Sequence, residues 1–218
     1  MVPSHSRSIA IAGAVAGFVF AFSQLSWSQP QKPQGISNFG QVSDSLFRGA
    51  QPSSAAYAAL HDMGVAIVVN FRDEAGEIEA EKQRVESAGM KYVNIPWKGS
   101  DEPSNAQVAQ FLDLVRANPN SKIFVHCKAG ADRTGVMVAA YRIAVERKPV
   151  DDAVSEMHQY HYHWLLLGHL QRYVKSLPQL LDSQPVFSAY ATAPGKNPIA
   201  PPATAAIAAP VLAPSLAQ

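Results

Sequence analysis

Between residues 44 and 182, short apolar runs alternate with longer charged or amphipathic stretches, and that rhythm predicts strand and helix in turn. Leu46-Phe47-Arg48 reads as a short first strand. Ser53 or Ser54 is placed to cap a helix that runs to Met63 and is stopped by Gly64. The unbroken run from Val65 to Phe71 has no polar alternation, the mark of a strand covered on both faces. A charged helix follows over about 77–88, stopped by Gly89, with Glu77, Glu79 and Glu81 early and Lys82 and Arg84 late, as the helix dipole favours. Tyr92-Val93-Asn94-Ile95 is the next strand, and Ser104-Asn105-Ala106-Gln107 has the form of a capping box opening a helix to Ala117. Ile123-Phe124-Val125 is another strand, and the apolar run from Val136 to Tyr141 begins a buried helix reaching about Glu146. Asp151 or Asp152 opens a further helix, and residues 164–177 supply the last. Strands and helices in this alternation predict an α/β domain: a mostly parallel central sheet of four to five strands flanked by helices. In such a sheet a ligand belongs at the carboxyl ends of the strands.

That position is held by His126-Cys127-Lys128-Ala129-Gly130-Ala131-Asp132-Arg133-Thr134-Gly135, between the strand ending at Val125 and the helix entered near Val136. A sharp turn from strand into helix aims successive backbone N–H groups at one point, with the positive end of the helix dipole behind them. Both favour an anion. Cys127 places a nucleophilic sulfur at the start of the turn, and Arg133 places a planar fork able to hold two phosphate oxygens at its end. Gly130 and Gly135 permit close approaches that a Cβ would block.

A Cys-x5-Arg loop preceded by His and followed by Thr-Gly resembles the cysteine-dependent protein tyrosine phosphatase superfamily, particularly its small dual-specificity-like bacterial branch. Phe47-Arg48-Gly49-Ala50-Gln51-Pro52 and Val69-Asn70-Phe71-Arg72 are similar to segments of the small bacterial members, with a structural role expected for them, and Arg72 is expected to pair with Asp73, Glu74 or another surface neighbour. The resemblance implies phosphate monoester hydrolysis through a phosphocysteine on Cys127, with residues Lys128, Ala129, Gly130, Ala131, Asp132, Arg133 and Thr134 around the phosphate. It implies no metal or other cofactor. Thr134 matches the family hydroxyl that hydrogen-bonds the sulfur. The general acid is expected on Trp97-Lys98-Gly99-Ser100-Asp101-Glu102-Pro103; Asp101 matches best, with Asp132 and then Glu102 as rivals. Lys128-Ala129-Gly130 is also similar to the loop of tensin-type lipid phosphatases. The second lysine of that loop is Ala131 here, and Asp132 adds a negative charge, so phosphotyrosine ranks above phosphoinositides or inositol phosphates, with phosphoserine and phosphothreonine left open. A phosphate-binding module without turnover would be expected to lack Cys127 or Arg133. Sulfurtransferases and arsenate reductases lack these flanks, and the reductases need further thiols.

Composition narrows the rest. Residues 44–182 carry 15 Lys/Arg against 17 Asp/Glu with no basic block, which argues against a nucleic-acid partner. A single cysteine excludes an intramolecular disulfide. His158, His161, His163 and His169 match no compact metal-ligand spacing and read as packing and surface residues. Residues 1–28 read as a signal peptide or N-terminal anchor: Arg7 precedes an apolar stretch at 9–22, and Ser26-Trp27-Ser28 offers a cleavage site. That predicts export, periplasmic or extracellular, or membrane attachment through the apolar segment. Residues 29–43 read as a linker and 183–218 as a disordered tail, half of whose 36 residues are Ala or Pro.

Overall fold

The apolar runs become strands of one sheet. In the computed structural model, which describes residues 32–191, the strands are β1 (Gly40–Gln41), β2 (Leu46–Ala50), β3 (Val65–Asn70), β4 (Lys91–Asn94) and β5 (Lys122–Cys127). Their order across the sheet is β1-β2-β5-β3-β4, with every pairing parallel except the short β1 at the edge. The α/β reading holds. The strand ending in Cys127 is the centre of the sheet, paired on one side with β2 and on the other with β3.

Among the described residues six helices cover the faces: α1 (Ala56–Asp62), α2 (Ala75–Ser87), α3 (Asn105–Ala117), α4 (Asp132–Ala144), α5 (Val150–Gln159) and α6 (Trp164–Ser183). Side-chain alternation along β5 sorts the core into two layers. Ile123, Val125 and Cys127 join the cluster built with α3, α4, α5 and α6, whereas Phe124 joins the cluster built with α1 and α2. Helix α4 is buried from Arg133 to Ala144, so it has no solvent-facing stripe, and its polar residues Arg133, Thr134 and Arg142 are enclosed with the apolar ones.

Local sequence explains most of the boundaries. Gly64 and Gly89 take the left-handed conformation, at φ 82° and 81°, that ends the preceding helices. The capping box is present: Ser104 Oγ accepts from Gln107 N at 3.2 Å, and Gln107 Oε1 accepts from Ser104 N at 2.8 Å. Neither Ser53 nor Ser54 caps α1, whose N-cap is Ala55 without a side-chain bond; the Ser53 carbonyl instead accepts from Ala56 N in a turn.

The packed body is larger than residues 44–182. Ile36 and Val42, inside the expected linker, are buried, and Gln41 pairs with Phe47 across β1 and β2. At the other end α6 runs on to Ser183 and leads to a 3-10 turn, Pro185–Phe187. There Phe187 and Tyr190 enter the main core, with Tyr190 Oη donating to Asp113 Oδ1 at 2.7 Å. The expected export segment and residues 192–218 of the expected tail lie outside the described residues, and no described helix is long and apolar enough to cross a membrane.

Replacing Phe187 with Ala is therefore expected to lower the unfolding free energy by about 3–5 kcal/mol. The exposed neighbour Ser188→Ala should stay within about 0.5 kcal/mol. Urea unfolding of the two variants checks this, and equal small effects would contradict a packed C-terminal turn.

Candidate active site

Cys127 ends β5 opposite Ala50 of β2 and is buried. The backbone from 128 to 131 then turns into α4, whose N-cap is Ala131. Gly130 sits at φ +69°, and a Cβ there would lie 2.3 Å from the Gly49 carbonyl carbon. Only glycine can pass so close to β2.

Three carbonyls of this loop are held from outside. Gln51 N donates to Lys128 O at 3.2 Å, Asn38 Nδ2 to Ala129 O at 3.3 Å, and Arg48 Nη2 to Gly130 O at 2.8 Å. In a planar trans peptide the carbonyl of one residue and the N–H of the next point in opposite directions. Drawing carbonyls 128, 129 and 130 outward therefore turns the N–H groups of 129, 130 and 131 the other way, into the loop. That makes an anion nest backed by the N-terminus of α4.

Arg133 is the second residue of α4, in its first turn. Its Nη1 donates to Asp73 Oδ1 at 2.8 Å, to Trp97 O at 3.1 Å and to Phe71 O at 3.3 Å. Gly99 lies against the same guanidinium, its would-be Cβ 3.4 Å from Arg133 Cζ and Nε. The loop carrying Asp101 is thus brought over the arginine. Asp101 itself is exposed: its Oδ1 accepts from Ser100 Oγ at 3.0 Å, and its N–H closes a turn onto Lys98 O. Glu102 is exposed beside it. Asp132 faces elsewhere, accepting from His163 N at 2.9 Å and lying 3.0 Å from His163 Nδ1. Lys128 and Ala129 are exposed at the rim, whereas Ala131 is buried. Thr134 is fully buried, and its hydroxyl makes no hydrogen bond among the described residues, to the Cys127 sulfur included.

His126 points to the opposite face of β5 from Cys127. Its Nε2 lies 2.9 Å from Glu81 Oε1, and its Nδ1 is 3.2 Å from Cys127 O. Glu81 is buried, although it sits in the charged helix α2. Its carboxylate accepts from Gln51 Nε2 (2.7 Å), Tyr57 Oη (2.8 Å) and Asn70 Nδ2 (2.6 Å). Burial pushes that carboxyl up, but His126, Tyr57 and Gln51 outweigh it and hold it below the usual carboxylate range. Arg72 is buried and joins the network through Gln51 Oε1 at 3.0 Å, besides its 3.2 Å pair with Glu74. Glu81, Asp73 and Arg48 were not singled out from sequence as site residues. A lone Glu in a charged helix carries no local mark of burial; it becomes visible only when α2 is laid against β5.

A central parallel strand that ends in a cysteine, turns its following amides inward and enters a helix at an arginine defines the protein tyrosine phosphatase-like class of fold and site. The chain belongs to the family described as "DSP-PTPase phosphatase fused to NAD+ Kinase", which matches residues 29–165. It is similar to the dual specificity protein phosphatase TpbA of Pseudomonas aeruginosa strain UCBPP-PA14, at 30% identity over 133 residues, 60% of this chain. The match spans 57% of that relative's length. A crystal structure of P. aeruginosa TpbA in complex with pTyr superposes with a TM-score of 0.60 at 24% identity, over 77% of this chain and 98% of that one. The core catalytic domain of the PP-IP phosphatase SIW14 from S. cerevisiae gives 0.61 at 16% identity, over 72% and 93%. These two likenesses establish the fold.

The Glu81 network yields a pH test. Glu81→Gln should cost about 1.5–3 kcal/mol at pH 7, the worth of one hydrogen bond to a charged group. Because the folded carboxyl is held below its ordinary value of 4.5, the wild-type advantage is complete above that value and fades as pH falls through the native one. Denaturant melts of both proteins from pH 7 to pH 3 measure the difference. An advantage that grew on acidification would contradict a buried, ionised Glu81.

Proposed function

We propose that this chain hydrolyses phosphate monoesters through a phosphocysteine on Cys127, with phosphotyrosine in proteins or peptides as the leading substrate and phosphoserine or phosphothreonine second. The observation that carries this reading is the outward pull on carbonyls 128, 129 and 130, which turns three amides toward one point beside Cys127 and Arg133. The pTyr bound in the TpbA structure supports the choice of substrate.

In the first step the Cys127 thiolate attacks phosphorus; the sulfur–phosphorus bond forms as the ester oxygen leaves, taking a proton from a carboxylic acid. In the second step water attacks phosphorus, gives its proton to that carboxylate, and the sulfur leaves. Loop amides and the Arg133 fork follow the equatorial oxygens through both transition states. For the fork to do so, Arg133 must share or exchange its contacts with Asp73 and the carbonyls of Trp97 and Phe71. Asp101 is the acid in this proposal. Its loop touches Arg133 through Gly99, whereas Asp132 is engaged by His163. An inositol ring with several phosphates needs cations around the loop, and the second lysine of the tensin-type loop is replaced here by the buried Ala131.

Cys127→Ser should fall below about a hundredth of the wild-type rate, a barrier increase of ~2.7 kcal/mol or more. Asp101→Asn should slow phosphotyrosine hydrolysis strongly, spare an activated aryl phosphate whose phenolate leaves unaided, and remove the basic limb of the pH–rate profile. Asp132→Asn should not show this leaving-group dependence. The reverse pattern would move the acid into the phosphate loop. Phosphate release from phosphotyrosine peptides, phosphoserine peptides and inositol phosphates then ranks the substrates.

Export, with cleavage after Ser28 or retention as an anchor, is the localisation we propose from the N-terminal apolar segment. N-terminal sequencing of protein from an extracytoplasmic fraction should start near Gln29 or retain the apolar segment in membranes. Intact chain in soluble cytosol would reject both.

A further inference from the structure

Arg48 has no exposed surface. Its Nη2 donates to Gly130 O, its guanidinium carbon stands 3.8 Å from the centroid of the Tyr160 ring, and its Nε and Nη1 make no hydrogen bond among the described residues. A guanidinium carries five donors, and a buried charge with one hydrogen bond is a costly placement that an apolar side chain of similar length would avoid. Burial pushes Arg48 down to about 10, against the pull of Glu156, Tyr160 and Cys127, which still leaves it cationic at neutral pH.

Its position explains what the charge is for. Strand β2 presents Leu46, Arg48 and Ala50 on one face by its period of two, and Ala50 pairs with Cys127. Of the three groups that draw loop carbonyls outward, Gln51 N and Asn38 Nδ2 are neutral; Arg48 alone is charged and fully buried. The carbonyl it holds belongs to Gly130, the residue pressed against Gly49 in the left-handed conformation. Releasing that carbonyl would free the 130–131 peptide to rotate and would take the N–H of Ala131, at the head of α4, out of the nest.

We infer that Arg48 is a positioning residue of the anion pocket: it fixes the Gly130 carbonyl outward, so that the Ala131 N–H faces a bound phosphate, and its buried charge favours that anion. This rests on the phosphate-loop reading above. The role is binding as well as packing, because a charge fixed behind the loop acts on whatever anion the loop holds.

Calorimetric titration with tungstate and with inorganic phosphate, alongside thermal melts with and without phosphate, tests it on the full chain. Arg48→Met fills the same space without donor or charge. It should keep its melting temperature within a few degrees, bind tungstate at least tenfold more weakly, about 1.4 kcal/mol, and gain less stability from phosphate than wild type. Arg48→Lys and Arg48→Gln, which restore the charge and the donor respectively, should each recover part of the affinity. If Arg48→Met does not fold, the Lys and Gln variants decide. Binding equal to wild type in the folded variants would overturn the inference, as would a loss of melting temperature with unchanged affinity. Failure of the wild-type protein itself to bind either anion would instead overturn the phosphate-loop reading.

Discussion

A planar peptide cannot aim its carbonyl and the next amide in the same direction. The site depends on that constraint. If amides 129, 130 and 131 are to face an anion, carbonyls 128, 129 and 130 must find donors outside the loop, the last of them in a buried setting. Gln51, Asn38 and Arg48 provide them. They can do so only because β2 lies beside β5 with Ala50 opposite Cys127, and because the segment before β1 runs close enough for Asn38 to reach both Ala129 O and Tyr160 O. Sheet order, strand register and the burial of residues 36–42 are thus conditions for the loop.

Buried polar groups flank the loop on both faces of β5. Toward α2, Glu81 gathers donors from Gln51, Tyr57 and Asn70 with His126 Nε2 2.9 Å away; toward α5, Arg48 stacks on Tyr160. Buried ionic groups are poor sources of net stability compared with apolar packing. Their value here lies in geometry. Gln51 belongs to both systems at once, its backbone N–H on Lys128 O and its side chain between Glu81 and Arg72, so the end of β2 couples the loop to the carboxylate beneath it.

Local sequence announced what local chemistry determines. The strand-to-helix turn between Cys127 and Arg133, the capping box at Ser104 and Gln107, and the glycine stops at 64 and 89 are each written in a few adjacent residues and stand in the structure as read. The expected Thr134 bond to the sulfur and the close approach at Gly135 do not: a Cβ there would meet Met157 only at 3.5 Å. The relations that span the chain were not legible. Glu81 and His126 are far apart in sequence, as are Arg133 and Asp73, and no periodicity ties them. Phe187 and Tyr190 sit in an Ala/Pro-rich stretch whose composition hides two anchors. Ser53 and Ser54 had the right chemistry for a cap, but the Ser53 backbone is committed to Ala56 N and to Gly35 O. Asp132 was ambiguous from sequence because its partner, His163, lies on the far side of α5.

The central claim is that Cys127 carries the phosphoryl group between the two steps. Acid quenching during turnover of a phosphotyrosine peptide, followed by digestion and mass analysis, tests it directly. The account predicts a peptide bearing one phosphoryl group on Cys127 that disappears when substrate is exhausted. A phosphoryl group on His126, or steady turnover with no phosphorylated enzyme at any quench time, would contradict it.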